Sequence, residues 1–205
     1  WVSAALPEEQ SIESISFPPE QEAYVQSIMG DNPVAIQARA AKARSKDLLL
    51  KYADFQTRYP GLLVQSVVGE ALFELNAVSL LGYDEASVRT ALEPLADSLI
   101  RIDWNRRQLD AAWAKLFSTA AIVEVLNLSD SSFSGEDLLL LLSKMPELRK
   151  VNLTGTEFSD EQVDSIRAHS KIETIVLTGT QLSEVGYQKL INHLPGAEII
   201  SDYSM

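Results

Sequence analysis

Few side chains in this chain are placed for chemistry. The two histidines, His169 and His193, stand 24 positions apart. That interval matches a wider recurrence, so both are expected at the same place in consecutive segments, as a repeated surface residue. A metal site would need a third ligand beside them, and the chain has no cysteine to supply one. Thr154-Gly155-Thr156 and Thr178-Gly179-Thr180 lack the lysine and glycine spacing of a phosphate loop, and their recurrence fits turns that leave strands. No serine sits in a nucleophile elbow. Asn127-Leu128-Ser129 and Asn152-Leu153-Thr154 match glycosylation sequons, but they fall inside expected strands. The reading is therefore non-enzymatic, with no catalytic residue, no metal site and no cofactor.

Composition narrows the partners. There are 17 Lys and Arg against 29 Asp and Glu, a formal charge of −12. A protein built to hold phosphates wants a basic field, so nucleic acid is disfavoured. Hydrophobic residues make up 46% of the chain, enough for a substantial core. Without cysteine there is no disulfide and no thiolate chemistry. No apolar run reaches the ~18 residues of a membrane span, so no direct membrane insertion is expected. A start at Trp1 rather than Met is expected of a processed protein or of a piece of a longer one.

Between Leu99 and Asp202 the chain repeats a frame at intervals of 24 to 25 residues. The copies read Leu99, Ile102, Trp104, Arg107, Leu109; then Val123, Leu126, Leu128, Ser131, Phe133; then Leu148, Val151, Leu153, Thr156, Phe158; then Ile172, Ile175, Leu177, Thr180, Leu182. A fifth begins at Ala197 and Ile200 and stops at Asp202. Period-2 alternation in each copy predicts a short strand, at about 101–104, 125–128, 150–153 and 174–177. Leu126, Leu128, Val151, Leu153, Ile175 and Leu177 should be buried. A helix should follow each strand, capped by Asp110, Ser134, Ser159 and Ser183 in turn, and Ser159-Asp160-Glu161-Gln162 has the capping-box form. One such segment cannot bury its apolar side alone, so stacking neighbours would share a core, in a solenoid.

Leu148-Arg149-Lys150-Val151-Asn152-Leu153-Thr154-Gly155-Thr156-Glu157-Phe158-Ser159-Asp160 resembles a leucine-rich repeat of the ribonuclease-inhibitor or cysteine-containing type, and Ile172 to Ser183 repeats its form. The resemblance covers about half the chain. It implies an α/β solenoid with a concave parallel sheet and helices behind it, and a general binding scaffold. The first copy departs most: Arg107 stands where Ser or Thr stands later, and Trp104 takes a core position, as in an atypical end repeat.

Upstream, residues 1–31 read as an acidic linker followed by a short helix over Glu20–Met29, with no Lys or Arg before Arg39. Residues 32–98 read as a helical region with a cap. A long helix starts at Asn32-Pro33 and ends near Arg58, with Ile36, Ala40, Ala43, Leu48, Tyr52 and Phe55 tracing one side. Arg39, Lys42, Arg44, Lys46 and Lys51 make it locally basic. Leu62–Val67 and Leu72–Ala77 form a hairpin turning near Gly69, and a helix over Asp84–Asp97, shortened by Pro94, leads into the repeats at 99–205.

Alternation places Arg101, Asp103, Asn105 and Arg106 on the concave face from the first strand, Asn127 from the second, and Lys150 and Asn152 from the third. Arginine is the hot-spot-prone type on this face, so binding is expected at its N-terminal end. Trp1-Val2-Ser3-Ala4, the Pro-containing connector and Leu62–Ala77 are similar to the region before the C-terminal repeats of bacterial membrane-anchored proteins that carry a c-type cytochrome domain. That similarity implies a non-catalytic protein-protein interaction module of a larger, membrane-anchored protein, periplasmic or extracellular. No Cys-x-x-Cys-His is present, so no haem is assigned to this chain. A cytosolic adaptor or regulatory subunit is the alternative.

Overall fold

The structure is a computed structural model that describes residues 33–66, 71–166, 169 and 171–203, with side chains from Ser45 onward. The expected acidic linker, the short helix over Glu20–Met29, the turn near Gly69 and the apolar and basic side chains before Ser45 lie outside the described residues. The chain divides into two compact units, Trp1–Arg44 and Ser45–Met205. What is described of the first is the backbone of the opening turns of helix α1 (Pro33–Arg58). That helix begins at the expected proline, whose fixed φ and missing N–H suit the first helical position. Among the described residues no helix is long and apolar enough to cross a membrane.

The second unit is a mixed α/β fold around one open, mostly parallel sheet of seven strands. The hairpin strands β1 (Leu63–Gln65) and β2 (Phe73–Asn76) pair antiparallel, with Val64 opposite Glu74. β3 (Leu99–Asp103), β5 (Val125–Asn127), β7 (Lys150–Asn152), β8 (Thr174–Val176) and β9 (Glu198–Ile200) then add in chain order, each parallel to the last. A second sheet pairs β4 (Gln108–Leu109) with β6 (Ser132–Phe133). β3 begins two residues earlier than the alternation predicts and ends before Trp104.

Helices return the chain between parallel strands. They are α2 (Glu85–Leu92), α3 (Ala111–Phe117), α4 (Gly135–Ser143), α5 (Val163–Ile166) and α6 (Glu184–His193). Short 3₁₀ helices cover Ala77–Leu80, Glu93–Ser98 and Asp160–Gln162. Pro94 falls in the second of these, which is why the helix expected over 84–97 divides after Leu92. The caps form where expected. Asp110 accepts from Ala112 and Trp113, Ser134 from Asp137 at 3.0 Å, and Ser183 from Gly186 at 3.2 Å. Ser159 N–H donates to Gln162 Oε1 at 2.8 Å.

The register explains the core. Leu75, Ile102, Leu126, Val151 and Ile175 lie side by side across the sheet, and all are buried. Two residues further on, Trp104, Leu128, Leu153 and Leu177 form a second buried row. Leu92, Phe117, Leu138, Leu142, Ile166 and Leu190 meet these rows from the connecting segments. At the hairpin edge, Tyr52 of α1 stacks on Phe73 with centroids 4.8 Å apart, and Gln56 Nε2 donates to the Leu63 carbonyl.

Two expectations about the core fail. In the fifth strand, Ile199 rather than Ile200 stands opposite Ile175, and Ile200 is exposed. The slip comes from an uneven connection. Met145, His169 and Leu194 fill the same slot, since Leu148, Ile172 and Ala197 donate to their carbonyls. Met145 and His169 lie six residues before Val151 and Ile175, whereas Leu194 lies five before Ile199. A one-residue slip exchanges the two faces of a strand. The same slot corrects the histidines. His169 is not a surface residue but buried, at 5% exposure, and the next segment puts Leu194, not His193, in its place. Burial lowers its pKa, opposed by the backbone at Met145 and Leu142.

Candidate functional site

The face of the sheet away from the core carries two rows of side chains. One row runs Glu74, Arg101, Val125, Lys150, Thr174 and Glu198; the other runs Asn76, Asp103, Asn127, Asn152, Val176 and Ile200. Arg101 and Lys150 are exposed, on either side of Val125. In the second row Asp103 Oδ1 accepts from Asn127 Nδ2 at 2.9 Å and from Asn105 Nδ2 at 3.0 Å. Asn127 and Asn152 each turn their amide oxygen back to a backbone N–H two residues on, at Ser129 and Thr154. The structure thus brings Asp103, Asn105 and Asn127 into one cluster. It keeps Arg101, Lys150 and Asn152 on the same face but outside it.

Arg106 is elsewhere. The expectation put Asn105 and Arg106 on the first strand, but β3 ends at Asp103 and both lie in the turn beyond it. Arg106 has φ +55, in the left-handed region. Asp130, Gly155 and Gly179 share that conformation, and the N–H groups of Arg106, Asp130 and Gly155 donate to the carbonyls of Ser129, Thr154 and Thr178. The last of the series, Gly179 N–H, donates instead to Asp202 Oδ2 at 2.9 Å. Asp202 therefore closes the row of turns where the alternation leads one to expect an apolar residue.

The turn after β3 borders a cleft of about 510 Å³ lined by Val78, Leu81, Glu85, Asn105, Arg106 and Arg107. Its floor is fixed. Arg107 Nη1 pairs with Glu85 Oε1 at 2.7 Å, and Arg107 Nε donates to the Ala77 carbonyl at 2.9 Å. The guanidinium lies 5.8 Å from the ring centroid of Trp104, a cation–π distance. Trp113 Nε1 donates to the other oxygen of Glu85 at 3.3 Å. Trp104 and Trp113 touch with centroids 4.4 Å apart, and Phe117 completes the group. Only 14% of the Arg107 side chain is exposed. The rim is different: Leu81 is 80% exposed and Val78 52%. The Arg106 side chain is 82% exposed and reaches Asp130 Oδ2 only at 3.6 Å.

Val78, Leu81, Glu85 and Arg107 are absent from the site that the sequence suggests. The available signal was Arg107 in a Ser or Thr position, next to Arg106 in the position of Gly155 and Gly179. Among the described residues no group of three His, Cys, Asp or Glu could hold a metal ion. The Asp103 carboxylate faces two amide donors, the wrong polarity for a cation. The remaining polar links run between neighbouring segments. Asp160 takes the Ser183 hydroxyl at 2.5 Å and N–H at 2.8 Å, which lowers its pKa. Glu173 sits 2.6 Å from Arg149 and raises that guanidinium's pKa. Lys171 pairs with Glu147 and Lys189 with Asp164. No protein-family model matches the chain, and no curated protein matches it.

Proposed function

We propose that this chain is a non-catalytic protein-interaction module, a leucine-rich repeat solenoid that offers its polar sheet face to a protein partner. We further propose that it serves a larger, membrane-anchored bacterial protein on the periplasmic or extracellular side. The observation that carries the interaction reading is the row through Arg101 and Lys150. Both cations are exposed and neither pairs with a carboxylate among the described residues, in a chain whose formal charge is −12. Exposed arginine beside a fixed amide cluster suits a protein interface better than a plain solvated face. The solenoid reading is supported by five strands in parallel register at intervals of 24 to 25 residues, with turns that bond to one another in series.

A photo-crosslinking residue at Val125, between the two cations, tests this in the intact parent protein. The control position is Leu139, on the exposed side of α4. A discrete protein adduct from Val125 and none from Leu139 is the expected result. Equal labelling from both positions, or no adduct from Val125, would overturn the interaction reading.

A further inference from the structure

We propose that the cleft between Val78, Leu81 and the Asn105–Gln108 turn is where a peptide segment of the partner protein docks, with an acidic side chain on Arg106 and an adjacent apolar one over Leu81. The proposal rests on the interaction reading above and specifies the chemistry of the partner and the place it is held.

The most exposed charge lining the cleft is Arg106, and that points to an acid. Glu85 and Arg107 are committed to each other and to Trp113 and Ala77. Asp110 is committed to the N-terminus of α3, where it accepts from two backbone N–H groups. The remaining cation, Arg106, is held only by a 3.6 Å ion pair to Asp130, in which both side chains are exposed. Its fork of donors matches a carboxylate in geometry. Exposed Val78 and Leu81 supply the apolar half of the recognition. A bare phosphate or a nucleic acid would gain nothing from them, and one loosely paired cation is too little for either.

The backbone adds an independent argument. Left-handed φ is easy for Gly155 and Gly179 and tolerable for Asp130, but it costs an arginine. Strain of this kind persists where the surroundings over-determine it, and it gathers at binding sites. Here the series bond from Arg106 N–H to the Ser129 carbonyl holds the turn, and the strained residue is one that lines the cleft with a guanidinium only loosely paired to Asp130. The rigid Arg107–Glu85–Trp113 floor limits the ordering cost of binding.

The test selects a displayed random-peptide library on the full 205-residue chain and measures the enriched peptides, labelled, against variants. Enriched peptides should carry Asp or Glu within a few positions of Leu, Ile or Phe. Arg106→Gly should weaken them tenfold or more and Leu81→Ser severalfold, while Arg101→Ala leaves them unchanged. Arg106→Gly keeps the fold, because glycine already occupies this conformation at 155 and 179; a melting curve verifies it. Peptides weakened by Arg101→Ala or Lys150→Ala but not by Arg106→Gly and Leu81→Ser would overturn the cleft and leave the sheet-face reading standing. Enrichment without acidic residues, or no enrichment, would overturn the cleft proposal. Combined with no adduct from Val125, it would take the interaction reading with it.

Discussion

The turn after β3 and the turns after β7 and β8 make the same left-handed bend with opposite residues. The later ones read Thr-Gly-Thr, with Thr156 and Thr180 hydroxyls donating to the carbonyls of Leu153 and Leu177 at 2.6 and 2.8 Å. They are closed on themselves and offer a partner little. The first reads Asn105-Arg106-Arg107. It has no hydroxyl of its own at that place and borrows one: Ser131 Oγ donates to the Trp104 carbonyl at 2.6 Å. Its two arginines point to different tasks. Arg107, in the threonine position, reaches to Glu85 and Ala77 instead, and Arg106 keeps only a long, exposed pair with Asp130. The regular turns are the ones stability alone would select. The first departs from them at a cost, and the departure coincides with the cleft.

The largest expected effect tests whether the first segment's core is also different in kind. Trp104 and Leu153 occupy the same buried row, but Trp104 also packs on Trp113 and Phe117. Trp104→Ala should destabilise the protein by about 3–5 kcal/mol and Leu153→Ala by about 2–5 kcal/mol, with Trp104→Ala the greater. Denaturant melts showing the reverse order would break the comparison at its base. Next is Gly155→Ala. A Cβ at Gly155 would meet Asp130 Oδ1, and the residue has φ +67. The loss should be about 2 kcal/mol, part from left-handed strain and part from the clash. In an Asp130→Gly background it should shrink to about 1 kcal/mol, the strain alone. No recovery there would mean that the Asp130 carboxylate turns aside at no cost.

His169 provides a smaller effect, conditional on pH. Its ordinary pKa is 6.5, and burial lowers it in the folded protein. Above that value both states are neutral and this residue adds no pH dependence to stability. As pH falls below it the unfolded chain takes up a proton that the folded chain resists, so stability should fall by up to about 1.4 kcal/mol per pH unit until the folded pKa is reached. Asp160 and Asp84, both with lowered pKa values, contribute only in a more acid range, below the ordinary 3.8. His169→Leu puts the side chain of Leu194 into the same slot and should remove the slope that sets in below pH 6.5. An unchanged slope would assign it to another group.

Strand positions, helix caps and the buried rows were legible because each rests on local rules, namely alternation, capping and spacing. Leu126, Val151 and Ile175 needed nothing else. The last strand departs from the fixed spacing because Leu194-Pro195-Gly196-Ala197-Glu198-Ile199 is one residue shorter than the links before it. His169 departs for the same reason: an interval of 24 to His193 suggests equivalence, while backbone bonds pair it with Leu194. The cleft was not legible at all. Leu81 and Glu85 lie 20 or more positions from Arg106 and Arg107, and no periodic pattern joins them. Long-range side-chain pairing of that kind appears only once the chain is folded.

The smallest effect is the most discriminating, because its sign is unusual. Arg106→Gly removes an ion pair so long and so exposed that it is worth close to nothing. It also removes the left-handed penalty of a side chain with a Cβ, roughly 1–2 kcal/mol. Against this stands the entropy glycine adds to the unfolded chain, about 0.5–1 kcal/mol. The balance favours the variant by about 0.5–1 kcal/mol, a rise of a few degrees in Tm for a chain of this size. Most truncations of an arginine do nothing or destabilise, so a gain would mark Arg106 as a residue held against the interest of the fold. The same change at the matched position 130, Asp130→Gly, should gain less, since aspartate tolerates this conformation better. Equal gains at 106 and 130, or a loss at 106, would show that the first turn carries no special strain and that the contrast with its neighbours lies in side chains alone.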